Sequence, residues 1–97
     1  MTPQQEKDRQ GVLTRAHNDF SKGMTSHVFF RVHNQATSDD LVQDTFMKTW
    51  KFLVREGKIE VMKSFLYHIL NNLIVDEYRK RKNASLDVLL EKGTNRQ

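Results

Sequence analysis

The 97-residue chain contains no cysteine, a single proline (Pro3) and only four glycines. Without cysteine there are no disulfides, no thiolate metal ligands and no thiol redox chemistry, and a reducing compartment suits the chain. So few prolines and glycines leave few places where a helix must stop. No stretch alternates apolar and polar residues for the length of a strand, so helix is the regular structure expected. Long hydrophobic runs are missing as well. The longest segment free of charged side chains, Ser64 to Val75, has twelve residues, against roughly 18 to 20 for a membrane span. The opening MTPQQEKDRQ lacks the cationic-then-apolar order of a secretion signal, and the expected location is the cytoplasm.

A chain of this length supports one hydrophobic core, and the expectation is a single domain over residues 1–97. Its formal net charge is +4, unevenly spread. Residues 1–47 hold five Lys/Arg against six Asp/Glu, whereas residues 48–97 hold eleven against six. A cationic half attracts polyanions such as nucleic acid or an anionic membrane surface, although a solvated face accounts for the same charges.

Apolar spacing predicts an all-α fold, a small bundle of three to four helices. A first helical region runs from about Gln4 into Asn34, with Val12, Leu13, Ala16 and Phe20 on one buried side and Val28, Phe29 and Val32 on another; Gly23 is expected to bend or break it. Thr37 to Asp40, TSDD, reads as a capping box that starts a second helix. Val42, Phe46, Thr49, Trp50 and Leu53 then form a core stripe, and Gly57 ends the helix in a left-handed turn. After a loop, a third helix runs from Met62 to Lys82 with Phe65, Leu66, Ile69, Leu70 and Leu73 facing the core. A short helical turn and a frayed tail, 88–97, are expected beyond it.

The four histidines, His17, His27, His33 and His68, have no local zinc spacing, and no glycine-rich phosphate loop is present. The expectation is a protein that is not an enzyme and needs no metal or cofactor. Two polar groupings remain. Asp40, Gln43 and Asp44 stand at i, i+3 and i+4 and share one helix face, suited to a polar partner or simply to water. At the end of the third helix, Arg79, Lys80, Arg81 and Lys82 follow one another, more cations than a helix terminus needs. With Lys51, Arg55, Lys58 and Lys63 they suggest a surface that tracks phosphates. Asn71 and Asn72 lie among leucines and isoleucines before those cations, and each carboxamide offers a donor and an acceptor to a base edge.

The two blocks SDDLVQDTFMKTW (38–50) and SFLYHILNNLIVDEYRKRK (64–82) together resemble region 2 of bacterial sigma-70 family transcription factors, and within it the extracytoplasmic-function group. The resemblance covers roughly residues 20–87. It implies a transcription initiation domain that docks on the clamp helices of the largest catalytic subunit of RNA polymerase core and recognises the promoter −10 element as melted non-template DNA. By motif position, Asp40, Gln43 and Asp44 belong to the polymerase-docking face. Phe65 to Arg79 hold the positions that open the promoter and read the −10 element, with Asn72 as the motif asparagine and Asp76 as the motif aspartate. The loop from Arg55 to Lys63 matches the segment that frames a pocket for a flipped base. Base readout is thus expected of Asn72, Asn71, His68, Lys58 and Lys63, and phosphate contacts of Arg55, Arg79, Lys80, Arg81 and Lys82. An anti-sigma factor is a further partner that the resemblance implies, and no membrane insertion is expected.

Two departures qualify it. Phe65 stands where tryptophan is common, and the paired tryptophans of housekeeping factors are missing, which implies weak strand opening and strict promoter choice. No region 4 follows before Gln97, so an excised domain or truncated product is expected. The competing class is a helical interaction bundle that binds an acidic protein without reading bases. Loss of base preference on Asn72 substitution separates the two.

Overall fold

The first two helices begin and end where side chains or a left-handed residue replace the missing intrahelical hydrogen bonds. The computed structural model describes the backbone of residues 2–92 and side chains through residue 81. Helix α1 spans Pro3–Val32, α2 spans Gln35–Glu56 and α3 spans Met62–Lys92. No strand occurs among the described residues.

A capping box starts α1. The Thr2 hydroxyl accepts the Gln5 N–H at 3.1 Å, the Gln5 side chain accepts the Thr2 N–H at 3.0 Å, and Pro3 fills the first turn. The helix closes at His33, whose φ of 52° turns its N–H onto the Phe29 carbonyl at 2.8 Å. Contrary to expectation, α1 runs unbroken through Gly23. Its missing side chain serves a close approach instead, because a Cβ there would meet the Tyr67 hydroxyl of α3 at 3.4 Å.

The start of α2 also corrects the sequence reading. Asn34, not Thr37, is the cap: its side-chain oxygen accepts the Thr37 N–H at 2.9 Å, and the Ser38 hydroxyl donates to its carbonyl at 2.8 Å. The other end agrees with expectation. Gly57 has φ 84° and its N–H closes on the Leu53 carbonyl at 2.8 Å. Helix α3 continues ten residues past the predicted end at Lys82, since no glycine or proline occurs between Asn83 and Lys92. The expected tail over 88–97 is thus helical as far as Lys92; the side chains of 82–92 and all of 93–97 are outside the described residues.

The helices run up, down and up. His17 of α1 stacks on Phe46 of α2, whereas Arg9, earlier in α1, reaches Val54, later in α2, so these two are antiparallel. Gly23 lies by Tyr67, His27 by Asn71 and Arg31 by Tyr78, so α1 and α3 are parallel. Between them the core gathers Ala16, Met24, Val28 and Val32 of α1, Leu41, Val42 and Phe46 of α2, and Leu66, Leu70 and Ile74 of α3. The α3 stripe is therefore rotated from the predicted one: Phe65, Ile69 and Leu73 are half-buried, and Ile74 is buried instead. Trp50 likewise leaves the core and is half-buried. Thr45 and Thr49 are fully buried, yet their hydroxyls donate to the carbonyls one turn back, at 2.9 and 2.7 Å, so no polar group is left without a partner there.

The two kinds of glycine position predict opposite responses. Gly57→Ala should cost about 1 to 2 kcal/mol, because an alanine is strained at positive φ and its Cβ would come 2.8 Å from the Arg9 guanidinium. Gly11→Ala should instead stabilise by about 0.5 to 1 kcal/mol, because it sits within α1 and its Cβ would meet only the end of Arg15 at 3.7 Å. Urea denaturation of the two variants against the parent chain measures both.

Candidate nucleic-acid interface

Five residues, 57–61, separate α2 from α3 without regular structure. With the ends of both helices they enclose a cleft of about 550 Å³. Its floor is aromatic: the Phe52 and Phe65 rings sit 4.7 Å apart and tilted by 51°, with the Arg55 guanidinium 5.6 Å above Phe52. Lys58, Ile59, Glu60 and Val61 form one wall, and Ser64 and His68 of α3 the other. One turn beyond His68, Asn72 brings its Nδ2 to 3.5 Å from His68 Nε2. An aromatic floor beside imidazole and ammonium groups, with a carboxamide one turn away, suits an unstacked base, which needs a stacking surface and edge contacts together.

The two asparagines part company here. Asn71 turns towards α1, where its side-chain oxygen lies 2.9 Å from His27 Nε2, and the His27 ring packs edge-on to Tyr67. Asn72 stays on the exposed face with His68. Lys63 is also exposed, on the first turn of α3, and does not line the cleft.

The cations separate in the same way. Arg79 and Lys80 are exposed. Arg81 is committed to the fold: Nη1 donates to the Val32 carbonyl at 3.1 Å, Nη2 to the Thr37 hydroxyl at 3.5 Å and Nε to Glu77 at 3.1 Å. Arg55 pairs with its neighbour Glu56 at 3.1 Å while its side chain remains 70% exposed. The side chain of Lys82 lies outside the described residues.

On α2, Asp40, Gln43 and Asp44 are all exposed and share one face. Asp39 beside them takes a hydrogen bond from Gln35 at 2.9 Å. Next to this face, a groove of about 690 Å³ separates α1 from α2, lined by Leu13 and His17 on one side and Val42, Gln43, Met47 and Trp50 on the other. Met47 is 53% exposed there. Its place one turn after Gln43 and Asp44 was the available signal, and Trp50 was misread because an i+8 position on a stripe does not reveal how deeply the neighbouring helix covers it. Among the described residues no group of His, Cys, Asp or Glu side chains is placed to hold a metal ion, and no helix is long and apolar enough to cross a membrane.

The engaged and exposed cations should respond differently to truncation. Arg81→Ala should lower stability by about 1 to 2 kcal/mol by freeing the α1 terminal carbonyl, whereas Lys80→Ala should stay within about 0.5 kcal/mol of the parent. Thermal denaturation of both variants in one buffer gives the comparison.

Two comparisons with known proteins bear on these surfaces. The family model for sigma-70 region 2 matches residues 15–84. The chain is also 35% identical over 77 residues to the RNA polymerase sigma factor SigZ of Bacillus subtilis (strain 168), covering 74% of this chain and 42% of that protein. It therefore spans less than half the length of that curated relative. No solved structure matches it significantly.

Proposed function

The chain belongs to the sigma-70 family, of which it carries region 2, and on that premise we propose that it is a transcription initiation domain that docks on the clamp helices of RNA polymerase core and reads the promoter −10 element as a melted non-template strand. The observation that carries this reading is the cleft between α2 and α3. Its Phe52–Phe65 floor is a surface for a flipped base, with Lys58 and His68 at its walls and Asn72 one turn beyond His68. Farther along the same helix, Arg79 and Lys80 are free to hold backbone phosphates. Asn72 carries the edge contact in this arrangement, and Asn71, held by His27, supports the packing of α3 on α1.

The exposed Asp40, Gln43 and Asp44 face on α2 is assigned to the polymerase. It offers acidic and carboxamide groups beside the apolar groove of Met47 and Trp50, a mixture suited to a protein surface rather than to DNA, which its charges repel. An anti-sigma factor bound to this face would compete with the polymerase. The domain is read as one unit over 1–97.

Selection from a randomised single-stranded −10 library, with the chain and its Asn72→Ala variant, tests the readout. The parent should enrich a defined strand, and Asn72→Ala should lose roughly 1 to 3 kcal/mol on that strand while binding scrambled strands as before. Flat enrichment by both would leave an interaction bundle without base readout as the better description. Docking is tested separately: Asp44→Arg should weaken binding to a purified clamp-helix fragment at unchanged thermal stability. Unaltered affinity for that fragment would remove this face from the docking assignment.

A further inference from the structure

The loop that forms one wall of the base cleft has a second side. Lys58 and Ile59 line both the cleft floored by Phe52 and Phe65 and a separate cleft of about 310 Å³ facing the start of α1, where Asp8, Arg9 and Val12 lie opposite Leu53 and Gly57. The loop is thus a thin partition, and a shift on its α1 side moves the wall against which a base would rest. Regular hydrogen bonding holds it only at its ends, where the Gly57 N–H meets the Leu53 carbonyl at 2.8 Å and the Phe65 N–H meets the Val61 carbonyl at 3.1 Å.

Arg9 supplies an outside hold. This half-buried side chain crosses from α1 to the last turn of α2, where Nη1 donates to the Val54 carbonyl at 3.3 Å. That carbonyl is one of the last four of α2, which have no partner within the helix, and the cation also faces the negative end of the helix dipole. The guanidinium lies so close to Gly57 that a Cβ there would come within 2.8 Å of Nη2. Glycine therefore meets two demands at once, the left-handed turn and the room for Arg9. Arg9 stands outside the residues 15–84 matched by the family model, so the match assigns it nothing.

We propose that Arg9 is a positioning residue for base selection: by clamping the Val54–Gly57 turn, it fixes the loop whose Lys58 and Ile59 wall the base cleft. The proposal rests on the reading of that cleft as a −10 base site. It assigns the first turns of α1 a part in specificity without contact with DNA.

The test uses the whole chain with Arg9→Met, which removes the guanidinium but keeps much of the stem, and Arg9→Lys, which keeps the charge but not the planar fork. Two quantities are measured: amide hydrogen exchange at Gly57, whose N–H closes the turn, and the affinity ratio between the single strand enriched by the parent chain and a scrambled strand. Arg9→Met should speed exchange at Gly57 about tenfold and lower the ratio by a similar factor, the scale of one charge-assisted hydrogen bond. Exchange in the middle of α3, affinity for the scrambled strand and its salt dependence should not change, and Arg9→Lys should fall between Met and parent. Unchanged exchange in both variants would overturn the clamp. Faster exchange with an unchanged ratio would overturn its part in selection. Equal weakening of both strands with a shallower salt dependence would identify Arg9 as a phosphate contact instead. A parent chain with no strand preference would remove the base-cleft reading and the selection role together, and the exchange data would still show whether Arg9 holds the turn.

Discussion

The parallel packing of α1 on α3 is the constraint from which the other features follow. Because both helices run the same way, α1 ends beside the middle of α3, and its last carbonyls face another helix rather than open solvent. Tyr78 donates to the Arg31 carbonyl at 2.6 Å and Arg81 to the Val32 carbonyl at 3.1 Å. These two bonds let the chain turn through His33 and Asn34 into α2 without leaving the end of α1 unsatisfied. Arg81 also reaches Thr37 on the first turn of α2, so one guanidinium holds all three helices at that end. At the other end Arg9 does the corresponding work for α2. Two arginines, each crossing to a carbonyl of a neighbouring helix, thus pin the antiparallel α2 between its parallel partners.

That arrangement explains which parts were legible in the sequence. Element type, the glycine stop at Gly57 and the start of α3 at Met62 all depend on local chemistry, and the structure agrees with them. The cap of α2 lies three residues earlier than expected because Asn34 and Thr37 are both good capping residues, and the Asn34 side chain takes the Thr37 N–H. Gly23 was misread for a different reason. Its role is set by Tyr67, forty-four positions away, and nothing in its neighbours indicates it. The same limit applies to the cations: Arg79, Lys80 and Arg81 look equivalent in a row, yet their 100° separation around the helix sends only Arg81 against α1. Asn71 and Asn72 divide for the same reason, one to His27 and one to His68.

On the proposed reading, this division of polar groups bears on how tightly the chain alone holds a strand. Among the cations assigned to phosphates, Arg81 serves the fold and Arg55 shares its charge with Glu56, which leaves Arg79 and Lys80 as the free pair among the described side chains. Two single-strand phosphate contacts correspond to a log–log salt slope of only about 1.4, well short of the many-contact regime that gives tight non-specific binding. Strand affinity from these two cations is then modest, and most discrimination rests on the one base that enters the cleft. Docking changes this without adding a single DNA contact. Once the α2 face is bound to the polymerase, the strand and α3 meet at the effective concentration of a tethered pair, and weak contacts suffice. The bundle's rigidity matters at this point, because α2 carries the proposed docking face and also Phe52 of the cleft floor. A shift of α2 relative to α3 would misplace both together, and the arginine contacts at its two ends oppose that shift.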